Sequence, residues 1–228
     1  MKTLKTLLIT FDNDIPSYQI EAFRGAIIHK VGKEHILFHN HLGDSNFSYK
    51  YPLIQYKTVR KKPAIFCLQS GADSIHHLFQ QKSRNINLNG NRFELKVHDI
   101  MMKNTTLNVW DRRFNYFINN WQALNHENLK VFNSTDALGD RIEMLNRILT
   151  GNILSMAKGI DWHIDQKVIV SITDLEMERL KRMKEINVMT FNLRFSSNVY
   201  LPDYIGIGKG ASKGFGVVKQ IRKEQYEG

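Results

Sequence analysis

Two histidines one residue apart, His39 and His41, have the residue type and spacing for proton-transfer chemistry. An imidazole ring exchanges a proton near neutral pH, so one ring can act as a general base and the other as a general acid. Residues two apart in an extended segment project to the same face, which would let both rings address one phosphate. Tyr49 and Tyr51 follow closely. A phenol there could donate a hydrogen bond, position a nucleophile or stack on a base.

These side chains fit the cleavage of RNA without a metal ion. In such a reaction the 2′-hydroxyl attacks the adjacent phosphate, which requires a base, an acid and a cation for the developing charge. Two alternatives stay open: the histidines are inert loop residues, or they form a metal site with Asp44 as a further ligand. We predict acid–base chemistry with no metal ion or cofactor.

A second feature is the glycine loop, residues 206–216, which contains five glycines and two lysines in eleven residues. Glycine lets backbone N–H groups turn toward a phosphate and removes side chains that would hold it away, and lysine supplies charge. The composition of the loop therefore predicts that it binds a polyanion. The predicted contacts are Gly206, Gly208, Lys209, Gly210, Ser212, Lys213, Gly214, Phe215 and Gly216.

Other interpretations of the glycine loop are weaker. Too few residues follow Gly216 for the helix and strand of a dinucleotide-binding fold. A phosphate-binding P-loop needs Ser or Thr directly after Gly-Lys, whereas Gly210 follows Lys209 here. A purely structural glycine bend stays open. A second basic cluster is either a solvated turn or a further phosphate contact, and it comprises Lys57, Arg60, Lys61 and Lys62.

Composition agrees with a polyanion-binding, globular protein. The 228 residues carry 32 basic and 22 acidic side chains, a net charge of +10 that attracts polyanions and opposes self-association. Cys67 is the only cysteine, which excludes an internal disulfide and fits a reducing compartment. No apolar stretch is long enough to span a membrane. We predict a cytoplasmic protein without a membrane partner.

The N-terminal half alternates short apolar runs with segments of helical periodicity. Strands are predicted at 4–11, 54–59, 64–68, 93–98 and 105–110, and helices at 17–31 and 72–81. This order is that of the split βαβ, or ferredoxin-like, arrangement. In this α+β fold two helices cover one face of an antiparallel sheet, and the other face is open to a long ligand.

The C-terminal half has fewer clear elements. A long helix is predicted at 134–156 and strands at 167–172 and 188–195. The segment 173–186 fits either a helix that begins with a capping box or one arm of a hairpin. We predict two closely packed domains, residues 1–112 with the histidine pair and residues 113–228 with the glycine loop.

The residues around the glycine loop resemble a known signature. Leu201-Pro202-Asp203-Tyr204 before it and Gly214-Phe215-Gly216 at its end are similar to the motif of the RAMP superfamily of CRISPR-associated RNA-binding proteins. Further similar blocks are Phe23-Arg24-Gly25, Phe38-His39-Asn40-His41-Leu42, Tyr51-Pro52-Leu53-Ile54-Gln55-Tyr56-Lys57 and Lys62-Pro63-Ala64-Ile65. Within the superfamily the chain is most similar to the repeat-cleaving endoribonucleases that release guide RNAs from the long CRISPR transcript.

This resemblance implies tandem ferredoxin-like (RRM-like) domains, the second often degraded. It implies a metal-independent endoribonuclease that leaves a 2′,3′-cyclic phosphate, with His41, His39 and Tyr49 on the positions that carry the cleavage. The implied partner is CRISPR repeat RNA, as precursor and as processed guide RNA, together with the CRISPR effector complex. An RNA-binding subunit of that complex that does not cut is the alternative function, and homodimerisation stays open.

Overall fold

The computed structural model describes residues 1–39, 51–183 and 186–222. The elements of the N-terminal half are β1 (Lys2–Phe11), α1 (Ile20–Val31), β2 (Ile54–Val59), β3 (Lys62–Leu68), α2 (Ser70–Ser74), α3 (His76–Phe79), β4 (Asn85–Leu88), β5 (Asn91–Glu94) and β6 (Val97–Leu107). Four of the strands form an antiparallel sheet in the order β2-β3-β1-β6, and β4 and β5 form a separate hairpin.

The C-terminal half contains β7 (Val109–Trp121), α4 (His126–Ser134), α5 (Leu138–Gly159), β8 (Val170–Met183), β9 (Ile186–Val199) and β10 (Val217–Ile221). Its sheet has the order β10-β7-β9-β8. When the strands of each sheet are counted in chain order, both sheets read fourth-first-third-second. This is the ferredoxin-like order, so the predicted tandem of ferredoxin-like domains is confirmed.

The second domain departs from the first between its third and fourth strands. In the first domain the short helices α2 and α3 lie on that connection, between β3 and β6. In the second domain, residues 200–216 between β9 and β10 contain only a 3₁₀ turn, Ala211–Lys213. The glycine loop therefore stands where a ferredoxin-like domain has its second helix.

Two apolar cores hold the molecule together. One core lies between the first sheet and α1, where Leu7 and Ile9 of β1 meet Phe23 and Ile27. The other face of β1 contributes Leu4 and Leu8 to a second core, which it shares with α5 and the second sheet. The expectation of an open face on the first sheet is therefore wrong, because the second domain packs against that face.

Several element boundaries differ from the sequence prediction. The long helix predicted at 134–156 is interrupted: α4 ends at Ser134 and α5 runs from Leu138 to Gly159. The helix predicted at 72–81 is the pair α2 and α3. Of the undecided segment 173–186, residues 173–183 are an arm of a hairpin, because they lie in β8, which pairs antiparallel with β9.

Strand β7 was not predicted beyond Trp110, and it spans the boundary placed between residues 112 and 113. The chain passes from the first sheet to the second at Asn108, between β6 and β7. The division into domains at 112 and 113 stays a prediction. Among the helices of the described residues, none has both the length and the hydropathy that crossing a membrane requires.

Candidate functional site

The glycine loop folds back on itself, and its glycines are needed for that path. Four of them have left-handed backbone angles: φ is +83° at Gly208, +76° at Gly210, +84° at Gly214 and +61° at Gly216. The N–H of Ile207 donates a hydrogen bond to the carbonyl of Gly216 at 2.9 Å. A Cβ on Gly216 would lie 1.9 Å from the carbonyl oxygen of Ile207. No other residue type fits there without moving the backbone.

Two side chains elsewhere in the second domain pack against the glycine loop. The indole N–H of the fully buried Trp121 donates a hydrogen bond to Oδ1 of Asn152 at 2.9 Å. Gly208 passes directly over this pair, since a Cβ there would lie 2.6 Å from Asn152 Oδ1 and 2.9 Å from Trp121 Nε1. These two side chains belong to strand β7 and helix α5. The two elements therefore fix the position of Gly208.

The first domain forms hydrogen bonds with the same loop. Tyr51 donates from Oη to the carbonyl of Gly206 at 2.7 Å, and the N–H of Gly206 donates to Oε1 of Gln55 at 2.8 Å. Gln55 in turn donates from Nε2 to Tyr51 Oη at 2.9 Å. Burial raises the pKa of the Tyr51 phenol, which keeps it protonated as a donor. We call these contacts the interdomain clamp (Tyr51, Gln55 and Gly206).

Lys57 extends this clamp and is not at the surface. Its side chain is buried, and its ammonium donates to Gln55 Oε1 at 2.9 Å and to the carbonyl of Tyr204. The ammonium also lies 5.0 Å from the centre of the Phe66 ring. Burial lowers the pKa of Lys57 to about 7. The predicted contact between Lys57 and RNA stays a prediction: the ammonium has partners within the protein, and the residue also lines the cleft described below.

The other members of the basic cluster lie on the β2–β3 turn. Arg60 and Lys61 are exposed and form the turn with left-handed φ angles of +50° and +68°. Lys62 donates from Nζ to the carbonyl of Asp12 at 2.6 Å and lies 3.6 Å from the carboxylate of Asp14. None of the three lines the cleft described next.

A cleft of about 660 Å³ lies between the two domains. Its walls are the first turn of α1, the end of the glycine loop, and the outward faces of β7 and β10. Lys213, Gly214 and Phe215 are predicted loop residues that line it, whereas the exposed Lys209 does not. Ser212 lies half-buried in the 3₁₀ turn.

Residues that the sequence analysis missed complete this interdomain cleft. They are Tyr18, Phe117, Tyr204 and Lys219. Tyr18 is 80% exposed, and the ammonium of Lys219 lies 5.5 Å from the centre of the Tyr204 ring. Phe117 and Lys219 are opposite each other in the β7–β10 pairing. A strand prediction for β7 would have identified Phe117, because the outward residues of β7 alternate with the buried Tyr116 and Ile118.

Of the predicted catalytic residues, His39 is described, and His41 and Tyr49 lie outside the described residues. His39 donates from Nε2 to the carbonyl of Lys33 at 2.7 Å. Its own carbonyl accepts a hydrogen bond from Nη2 of Arg24 on α1 at 2.8 Å. One helical turn before Arg24, Glu21 lies 3.1 Å from the ammonium of Lys213. Helix α1 thus contacts both His39 and the glycine loop.

The alternative metal site would combine His39, His41 and Asp44, of which the last two lie outside the described residues. Within the described residues, no group of three His, Cys, Asp or Glu side chains is arranged to hold a metal ion.

Family comparisons match the chain in two consecutive parts. Residues 2–106 match the Cas6b N-terminal domain, and residues 108–221 match the Cas6b C-terminal domain. An uncharacterized protein of Methanocaldococcus jannaschii is 32% identical over 141 residues, which is 61% of this chain and 95% of that relative.

Solved structures agree with these matches. A crystal structure of Cas6b superposes with a TM-score of 0.88 at 28% identity, covering 96% of this chain and 100% of the other. A structure of the CRISPR RNA processing endoribonuclease Cas6b gives 0.74 at 28% identity, with the same coverage. Csf5, a type IV Cas6 crRNA endonuclease, gives 0.59 at 12% identity over 97% of this chain and 100% of its own, a likeness of fold alone.

Proposed function

The chain belongs to the Cas6b family, and on this premise we propose that it binds CRISPR repeat RNA in the precursor transcript and cleaves it to release guide RNAs. The proposal draws support from two Cas6b structures that match along nearly the whole chain, one of which is described as a CRISPR RNA processing endoribonuclease. It also draws support from the chemistry of the interdomain cleft.

The interdomain cleft is the observation that carries the proposal. Lys213 and Lys219 supply positive charge to it, with Glu21 beside Lys213 as the one carboxylate of the described lining, and Tyr18, Phe117 and Tyr204 supply aromatic rings. Single-stranded RNA is held by this combination, since cations meet the phosphates and rings stack on the unpaired bases. In this assignment the glycine loop presents Lys213 and Phe215 to the RNA, and the interdomain clamp keeps the loop in position.

Cleavage proceeds by attack of the RNA on itself. A base removes the proton of a 2′-hydroxyl, and the 2′-oxygen forms a bond to the adjacent phosphorus. The bond from phosphorus to the 5′-oxygen breaks, and an acid gives that oxygen a proton. The products are a 2′,3′-cyclic phosphate and a 5′-hydroxyl. We assign the base and acid to the pair His39 and His41, with Tyr49 positioning the reacting groups.

The contacts on either side of residues 40–50 favour this assignment. His39 is held by Arg24, one helical turn from the Glu21–Lys213 ion pair. Tyr51 is hydrogen-bonded to Gly206 of the glycine loop. Both flanking residues are therefore tied to elements that line or support the interdomain cleft, which supports placing His39 and the RNA-binding residues in one site.

We expect Lys213→Ala/Lys219→Ala to weaken RNA binding and to make it less dependent on salt. Each lost phosphate contact lowers the slope of log K against log salt by about 0.7 for single-stranded RNA, so the double change lowers it by about 1.4. Titration of labelled repeat RNA at several salt concentrations measures this slope. Lys130→Ala/Lys158→Ala removes the same charge from exposed helical positions and should leave the slope unchanged. Equal slopes for the two variants would place the RNA elsewhere.

The mechanism is tested by incubating the protein with labelled repeat RNA in EDTA. We expect full cleavage there, and no cleavage of an RNA that carries a single 2′-deoxy sugar just upstream of the cut. An upstream product whose end resists phosphatase until acid opens the ring, and loses its phosphate afterwards, would identify the cyclic phosphate. Dependence on magnesium, or cleavage of the 2′-deoxy RNA, would refute the mechanism.

A further inference from the structure

Among the described residues that line the interdomain cleft, one carries a carboxylate: Glu21, in the first turn of α1. A carboxylate repels the phosphates of RNA, so it is unexpected in a cleft that we propose to bind RNA. Its Oε1 atom lies 3.1 Å from Nζ of Lys213 in the glycine loop. The same oxygen is buried and lacks a hydrogen-bond partner of good geometry within the described residues. The contact with Lys213 therefore satisfies the carboxylate only in part.

Arg24 lies one helical turn after Glu21 and holds the backbone at His39. Its Nη2 donates a hydrogen bond to the carbonyl of His39 at 2.8 Å. Its Nε–H is buried and has no acceptor in the part of the chain that the structure describes. A buried donor without an acceptor destabilises the folded protein, and a carboxylate is a strong acceptor for a guanidinium. Arg24 therefore has a hydrogen bond to His39 and an unused donor beside it.

Glu21 and Arg24 are neighbours on one face of α1. Residues three apart on a helix have Cβ atoms about 5–6 Å apart. Burial has the largest influence on the pKa of Arg24 and lowers it, whereas Tyr56 and Glu21 act in the opposite direction. The carboxylate of Glu21 is thus near two cations, Lys213 in the interdomain cleft and Arg24 on its own helix.

The segment before His39 is also held by β2. The hydroxyl of Tyr56 donates to the carbonyl of Phe38 at 3.2 Å, and both side chains are buried. Burial raises the pKa of the Tyr56 phenol, which keeps it protonated as a donor. Two successive carbonyls, those of Phe38 and His39, are therefore fixed by side chains of the first domain. Of these two contacts, that of Arg24 involves a charged group, one helical turn from the interdomain cleft.

We propose that Arg24 is a positioning residue for His39 and that Glu21 makes its action depend on RNA, an inference that rests on the proposed function. A phosphate that binds Lys213 takes the place of the Glu21 carboxylate. The released carboxylate then accepts a charge-assisted hydrogen bond from Nε–H of Arg24. With both hydrogen bonds made, the guanidinium holds the His39 carbonyl in one position. Binding of RNA in the cleft and alignment of His39 are thereby coupled.

The substitution Glu21→Gln separates the two contacts of this carboxylate. A neutral amide competes less with a phosphate for Lys213, so we expect repeat RNA to bind about threefold more tightly, the effect of a partly exposed ion pair. The amide is also a weaker acceptor for Arg24. Single-turnover cleavage at saturating RNA should therefore be about tenfold slower, because His39 is less well placed. A change of charge in the cleft would by itself tighten binding without slowing the cut.

Double variants identify the route of each effect. In an Arg24→Ala background, Glu21→Gln should still tighten RNA binding and should no longer slow cleavage. In a Lys213→Ala background, the same change should still slow cleavage and should no longer tighten binding. Arg24→Lys keeps the positive charge and lacks the planar fork that reaches two acceptors, so it should cut as slowly as Arg24→Ala. It also serves as the background if Arg24→Ala does not fold.

Controls separate this coupling from folding and from net charge. Glu143→Gln removes the same charge at an exposed position of α5 and should change neither binding nor cleavage. Thermal unfolding confirms that each variant is folded. The inference is overturned if Glu21→Gln leaves the affinity or the rate unchanged, if its effects add to those of Arg24→Ala and Lys213→Ala, or if Arg24→Lys cuts normally.

The unsubstituted protein distinguishes this inference from the proposed function. If it does not cut repeat RNA, the proposed function fails, and the coupling fails with it. If it cuts the RNA, and Glu21→Gln binds and cuts in the same way, only the coupling is overturned.

Discussion

Replacement of both His39 and His41 by alanine is expected to slow cleavage of repeat RNA by about 10²- to 10⁴-fold, the usual contribution of general acid–base catalysis. RNA affinity should not change, because the lysines and aromatic rings of the interdomain cleft are untouched. Single-turnover cleavage rates, measured with enzyme in excess, separate the chemical step from product release. The loss should therefore appear in the rate of cutting and not in the binding curve.

A matched control removes two other histidines. His76 and His77 lie on α3, and the ring of His77 contacts the rings of both His35 and His76. His76→Ala/His77→Ala should cut RNA at the rate of the unsubstituted protein. Normal cleavage by the His39→Ala/His41→Ala variant would show that the acid–base pair lies elsewhere. If the unsubstituted protein binds repeat RNA and never cuts it, the alternative of a guide-RNA-binding subunit is favoured.

Gly216→Ala is expected to cost about 3 kcal/mol of stability. About 1 kcal/mol comes from the left-handed backbone angle, and the rest comes from overpacking against a neighbour that cannot move away. That neighbour is the carbonyl of Ile207, which is backbone and accordingly has no alternative rotamer. Urea unfolding followed by circular dichroism measures the change.

Substitutions at two other glycines separate the cost of the left-handed backbone from the cost of overpacking. Gly90 also has a left-handed φ, +87°, yet a Cβ there would meet nothing within 4 Å. Gly90→Ala should therefore show the backbone cost alone, about 1 kcal/mol. Gly151 lies inside α5 with open space around it, so Gly151→Ala should stabilise the protein by about 1 kcal/mol through helix propensity. A Gly216→Ala variant no less stable than Gly90→Ala would contradict the close approach to Ile207.

Local patterns predicted the first domain well. The apolar runs of β1, β2 and β3 and the periodicity of α1 led to the correct fold, because β1 and β3 are buried on both faces and α1 buries one side. The hairpin of β4 and β5 was missed although Asn89-Gly90 is a strong turn signal. Strand β7 was missed since most of its outward residues, Phe117 excepted, are polar or charged, and its burial depends on α5 and on β9, which follow it in the chain.

The residues of the candidate site could be predicted only where amino-acid composition alone indicates the function. The density of glycine and lysine identified the loop, and the structure places Lys213 and Phe215 in the interdomain cleft. The burial of Lys57 was not predictable, because the carbonyl that it contacts belongs to Tyr204, 147 residues later. Lys219 joins the cleft through its pairing with Phe117, a contact between distant segments that no local pattern contains.

The interdomain clamp makes the loop conformation and the docking of the two domains a single thermodynamic event. Gly206 accepts a hydrogen bond from Tyr51 and donates one to Gln55, and both of these partners belong to the other domain. If the domains separate, these partners return to water and the glycine-rich backbone regains its large conformational entropy. Conversely, RNA that binds the ordered loop draws on the free energy of domain docking. The order of the glycine loop is thus coupled to the docking of the two domains. The affinity for RNA that we propose for the loop therefore depends on both domains being folded and docked.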